Sequence, residues 1–429
     1  TGPAVLTAAT TIDSSANSGA IQFTSTINND GSGTPRNLTL DSLGGAITVG
    51  GIIGDVGNSG GAVGVIDINK TDGTGAITLA GIGSASAAGN TGAVDIGNTT
   101  TLDLNLAGTF FTGGTTNFKA EDDNGGDAGV DENIDITATT TIKTASSNII
   151  FAESAIDVAN GANLTINSGT GNLTLTDIHG DGTADTTDLD IDGATVIVKG
   201  IGNSAAKDEI NGVAINGTTI SLNGGIYTGG ASGDNTVAIT GAVTLAGATV
   251  IDTTTGDGGA VTITGALTGA QNLDILSGDT LTTITGNIGT GGTPLTSLDI
   301  NASNIAGHTG GVTLGGNIGT SGAVGAGIVN LGNPKTTGTI TLSGTDYHTS
   351  GAPTFTASAF ALDGADIEFA TTNNAAINFT ASASGGGDVT LDDDANLIVG
   401  TGSGSITFGG DILGTNGANA TDVNLTTTG

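Results

Sequence analysis

Apolar and polar residues alternate with period two along almost the whole chain, in bursts of three to five residues. Ile47-Thr48-Val49, Ile66-Asp67-Ile68, Ile77-Thr78-Leu79, Val94-Asp95-Ile96 and Leu102-Asp103-Leu104-Asn105-Leu106 set the pattern. It returns in Leu164-Thr165-Ile166, Leu173-Thr174-Leu175, Val261-Thr262-Ile263, Leu298-Asp299-Ile300, Val312-Thr313-Leu314 and Ile406-Thr407-Phe408. One apolar face and one face of Thr, Asp or Asn predict short, half-buried strands. Helical periodicity is missing, and glycine interrupts every candidate helix at a cost of about 1 kcal/mol relative to alanine. The chain is expected to be all-β.

Larger units recur on top of this alternation. GAITVGGIIGDVGNSGGAVGVIDIN, starting at Gly45, is echoed by GAITLAGIGSASAAGNTGAVDIGN, starting at Gly75. Ile47 and Ile77 therefore stand 30 residues apart, as do Thr282 and Val312, while Val261 precedes Thr282 by 21. A period of roughly 20 to 30 residues is that of a solenoid coil, and it divides the chain into roughly 14 to 20 coils. Asn-Gly pairs starting at Asn160, Asn211, Asn216, Asn223 and Asn416 supply residues that tolerate the positive φ of a corner. No coil with a few short strands can bury its own apolar side, so neighbours must stack.

The expected fold is a parallel β-solenoid, a right-handed β-helix with three-residue strands and variable loops. Residues 1–429 are expected to form a single elongated repeat domain, processed or part of a longer chain. Its shaft is expected to be too narrow to need many aromatic rings. A β-sandwich array would require hairpins every 8 to 12 residues or so, which the irregular loop lengths do not provide.

Units such as GGAVTITGALTGAQNLDI and GTGSGSITFGGDILGTNGA resemble the repeats of large bacterial surface proteins of the filamentous-haemagglutinin and autotransporter-passenger type. The resemblance implies a secreted or surface-anchored β-helical rod used in adhesion or in building a surface layer, fibre or sheath.

Composition narrows the picture further. Seven Lys and Arg against 41 Asp and Glu give a formal charge of −34, which excludes a protein that binds nucleic acid by neutralising phosphates. Leu, Ile, Val and Phe make up roughly a quarter of the chain, enough to oppose disorder. Without cysteine, the fold must rest on its core and backbone ladders alone. No apolar run reaches the 18 or so residues of a membrane helix. An acidic, cysteine-free, Thr/Asn/Gly-rich chain suits the exterior of a bacterium. Stacked coils also leave unpaired backbone groups at their ends, so self-association, end to end or lateral, is expected.

The chemistry-bearing residues are mostly acids: 15 of the 41 fall between Glu121 and Asp192. Asp122, Asp123, Asp127 and Asp131, on a glycine-rich loop, are candidate calcium ligands, since Ca²⁺ takes six to eight oxygens or so; the same residues suit a solvated, turn-capping loop. Asp188-Leu189-Asp190-Ile191-Asp192 opens like an EF-hand loop, but its twelfth position is Lys199, so a strand with aspartates outward is expected. Asp392-Asp393-Asp394 reads as a turn. Thr99–Thr101, Thr139–Thr141 and Thr253–Thr255 are expected on exposed strand faces. His179, His308 and His348 are expected in unrelated exposed loops, not converging as a transition-metal site requires. The function expected is that of a non-enzymatic extracellular structural protein. The alternatives are an adhesin that recognises a host or neighbour-cell ligand through its acidic loops, or a β-helical polysaccharide hydrolase or lyase using carboxylate pairs such as Asp122/Asp123 or Asp392/Asp393.

Overall fold

The computed structural model describes residues 2–427 apart from 57–60, 122–133, 181–185, 204–209, 230–234, 256–257, 292, 305–306, 393–394 and 416–421. The fold is an all-β parallel solenoid, and the described residues make about 16 turns. The only helix among them is a 3₁₀ turn, Ser15–Asn17. Two compact units divide the chain, Thr1–Thr218 and Thr219–Gly429.

In the first unit the apolar members of the period-two bursts pile up into columns. Ile47, Ile77, Leu104, Ile134, Ile156, Ile178 and Ile201 are successive partners in parallel register. Every one of them is 0% exposed. Burying a side chain of this size contributes roughly 1.5–3 kcal/mol, so one such column outweighs any polar contact in the unit. Stacking also makes each turn depend on its neighbours.

The second unit repeats the design with a change of filling. Ile226, Ile251, Ile275, Ile300, Leu331, Phe355, Phe379 and Phe408 form one column, aliphatic at first and aromatic afterwards. Phe379 packs flat against Phe408 at 5.1 Å and edge-on to Phe360 and Phe369. Tyr347 stacks on Phe369 with centroids 4.8 Å apart. In the first unit Phe118 likewise stacks on Phe151. The expectation of a shaft too narrow for rings is therefore wrong: rings stacked flat on neighbouring turns fit the spacing of about 4.8 Å between parallel strands.

Corners are made in several ways. Gly161 takes φ +78° as the Asn160 pair predicts, but Asn216 and Gly217 lie inside the strand Gly212–Leu222. Strands are longer than three residues wherever they run through a corner, as Asp188–Ile201 does by pairing with both Leu164–Asn167 and Asn172–Gly180. A glycine column marks one corner of the second unit. A Cβ on Gly286 would lie 1.7 Å from the carbonyl oxygen of Gly265, and Gly265, Gly316 and Gly344 meet the carbonyl of the preceding turn's glycine in the same way. Elsewhere asparagine holds the corner: Asn333 Nδ2 donates to the carbonyls of Asn301 and His308, both at 2.7 Å.

Two further expectations change. Leu102 precedes its strand, Leu104–Thr112, and is 53% exposed. Thr101, Thr140 and Thr253 turn inward and are buried, with hydroxyls donating to backbone carbonyls, as Thr253 does to Gly259 at 2.6 Å. A small hydroxyl that can bond the chain beside it fits a corner better than a larger side chain.

Candidate functional site

The outward face has few cations, and several of its carboxylates accept from asparagine amides instead. Asn117 Nδ2 donates to Asp95 at 2.7 Å, Asn330 to Asp299 at 2.6 Å and Asn396 to Asp366 at 2.6 Å, each across neighbouring turns. Lys70 bridges Asp67 and Asp95 at 3.3 and 2.7 Å, and its hydrogen bond to Asp95 pushes the ammonium above its usual range. Neutral amides thus share the work expected of lysine. At Asp299 and Asp366 an amide on the neighbouring turn takes the place of a matching cation.

One group departs from this scheme. Asp346 and His348 lie on the strand Asp346–Thr349, two residues apart and so on the same face. Parallel pairing sets Glu368, on the strand Asp366–Thr371 of the next turn, directly opposite Asp346. Between them Tyr347 and Phe369 point inward and stack, which locks the register of the two strands beneath the polar face. The Tyr347 hydroxyl accepts from the Gly344 N–H at 2.9 Å and its burial raises its pKa strongly.

His348 Nε2 lies 3.7 Å from Asp346 Oδ1 and 3.7 Å from Glu368 Oε2. The ligand atoms of the three residues all fall within 4.8 Å of one another. The His348 side chain is 8% exposed, Asp346 21% and Glu368 39%, so the imidazole sits at the floor and the glutamate at the rim. Opposite His348 on the next turn is Ala370, and beyond it Gly400, so no large side chain competes for that space. Asp346 is held from the other side. Its Oδ2 accepts from Asn317 Nδ2 and from the Thr345 hydroxyl, both at 2.9 Å, which leaves Oδ1 turned to the histidine. Asn317 in turn is fixed through its Oδ1, which accepts from the Thr345 N–H at 2.7 Å.

The buried Nε2 of His348 makes no hydrogen bond. Such an unmade bond costs about 1–3 kcal/mol, and 3.7 Å exceeds the normal range of about 2.7–3.2 Å for N–H···O. The arrangement offers one imidazole nitrogen and two carboxylate oxygens to a single point.

The residues singled out by sequence reasoning are distributed differently. Asp122, Asp123, Asp127 and Asp131, the calcium candidates, lie outside the described residues, as do Asp393 and Asp394. Asp188, Asp190 and Asp192 face outward with Leu189 and Ile191 buried, so the EF-hand likeness is a strand as expected. The histidines do not conform to expectation. His308 and His348 are each 6% exposed, and both His348 and His179 sit on strands, His179 opposite Asp157. Sequence reasoning missed the Asp346/His348/Glu368 group because it looked for several histidines converging. The Asp-x-His spacing within an alternating segment was the available signal. No family profile, curated protein or solved structure matches this chain.

Proposed function

We propose that this chain is a non-enzymatic extracellular structural protein, a β-helical scaffold that builds or decorates a bacterial surface layer, fibre or sheath and associates with itself through its stacked edges. The acidic, cysteine-free composition and the resemblance of its repeats to bacterial surface proteins support the location.

The observation that carries the scaffold reading is the parallel register within each unit. Each strand pairs with its counterpart on the neighbouring turn, as Ile47 does with Ile77 and Ile275 with Ile300, so a repeated backbone ladder supplies length and stiffness. Outward acids keep such a scaffold soluble and disfavour lateral association.

Sedimentation velocity over a hundredfold range of concentration, with electron microscopy of the same samples, tests the reading. The native chain is expected to form larger species as concentration rises. A native chain that remains monomeric throughout overturns self-association. Release of new reducing ends from acidic polysaccharides overturns the non-enzymatic assignment.

A further inference from the structure

We propose that Asp346, His348 and Glu368 form a binding site for one borderline divalent transition-metal ion, with Zn²⁺ the best match to the donor set. The inference does not depend on the scaffold reading, because it rests on the geometry of two neighbouring turns.

Three features point to a metal ion. The first is distance. Two bonds of about 2.0–2.2 Å from a shared ion, the normal lengths for Zn²⁺ to imidazole nitrogen and carboxylate oxygen, span a gap close to the 3.7 Å seen from Nε2 to either oxygen. The second is the buried, unpartnered Nε2, whose side chain is 92% removed from solvent and points between both carboxylates. A lone pair placed there is costly unless an ion or proton uses it. The third is support behind the ligands: Asn317 and Thr345 occupy Asp346 Oδ2 and present Oδ1, an arrangement of the kind that orients first ligands in metal sites.

Donor chemistry selects the class of ion. Imidazole with two carboxylates suits Zn²⁺ and its first-row neighbours, whereas Ca²⁺ prefers an all-oxygen shell of six to eight ligands or so. Glu368, at the rim, gives the ion a route in from solvent and can swing to close the site. Because Asp346 and His348 come from one turn and Glu368 from the next, a bound ion ties the two turns together. Three protein ligands leave at least one position for water.

The test is calorimetric titration of the full chain, stripped with chelator, using Zn²⁺ alone and then Ca²⁺ alone. Glu368→Gln and His348→Gln are compared with the native chain, and far-UV circular dichroism checks each fold. The native chain is expected to take up one tight Zn²⁺ equivalent. Each variant is expected to lose at least tenfold in that affinity, and a hundredfold excess of Ca²⁺ is expected to leave the site unchanged. Co²⁺ in place of Zn²⁺ should give visible ligand-field bands that disappear in His348→Gln. If His348→Gln fails to fold, Glu368→Gln, altered at a side chain 39% exposed, carries the comparison alone. Identical Zn²⁺ titrations for native chain and variant overturn the site, and Ca²⁺ binding there as tightly as Zn²⁺ overturns the assigned ion class.

Discussion

Asp274 and Asp299 are register partners on neighbouring turns, two carboxylates stacked on one face. Asn330 donates to Asp299 at 2.6 Å. Asp274 is half-buried, and burial, followed by repulsion from Asp299 and Asp252, pushes its pKa up to about 6. An unfolded aspartate titrates near 3.9 or so. The folded state therefore holds its proton more tightly, so this group favours folding below about pH 4 and that contribution is lost as pH rises through about 6.

Asp274→Asn is accordingly expected to stabilise the protein at pH 7.5 and to change little at pH 4. Water screens the half-exposed carboxylate, so the gain is about 1 kcal/mol, less than the shift would carry in a dry site. Urea melts of both proteins from pH 4 to 7.5 check this. Curves that run parallel across the range would remove Asp274 as the source of the pH dependence.

Phe379 and Phe111 separate the aromatic column from the surface. Phe379 touches Phe355, Phe360, Phe369 and Phe408 in the interior. Phe379→Ala is expected to cost about 3–5 kcal/mol. Phe111 is half-buried beneath the Lys143 ammonium, 4.5 Å from the ring centroid. Phe111→Ala should cost about 1 kcal/mol. Chemical denaturation with hydrogen exchange resolved along the chain measures both. Equal costs would show that the rings act as separate fillers and not as a column.

Asn333 provides a polar counterpart. Its amide satisfies two carbonyls at a corner 1% exposed. Asn333→Ala leaves both acceptors without that donor, at a cost of about 1–3 kcal/mol. Because Asn301 shares this corner, Asn301→Ala and Asn333→Ala should be non-additive in a double-mutant cycle. Strict additivity in thermal melts would mean that the two asparagines hold separate corners.

Gly286 and Gly400 test close approach. A methyl at Gly286 meets backbone at 1.7 Å, while one at Gly400 meets nothing within 4 Å. Gly286→Ala is expected to destabilise by about 1–3 kcal/mol, and Gly400→Ala to be neutral or slightly stabilising. A neutral Gly286→Ala would mean that the turns can spread at this corner without cost.

How much of this could be read from the chain alone depends on whether a feature follows a local rule. Ile47 over Ile77 and Thr282 over Val312 were visible as repeats of 30 residues, and both pairs are register partners in the fold. Alternation placed Leu189 and Ile191 inside and their aspartates outside. These features succeed because a pleated strand turns every second side chain the same way, and because identical units must stack to bury what they cannot bury alone.

The metal-binding group belongs to the other class. Asp346 and His348 were adjacent in the alternation, but Glu368 enters only once parallel pairing sets it opposite Asp346, and the length of the intervening corner fixes that register. The same holds for His348, whose burial depends on Ala370 one turn away, and for the rings of Phe379 and Phe408, which find room because one lies flat on the other. The sequence by itself determined an all-β coil, the inward and outward faces of its strands and the interval between turns. The tertiary structure alone decided which outward side chains meet, because contacts across turns depend on the sum of strand and corner lengths, which no short stretch of the chain encodes.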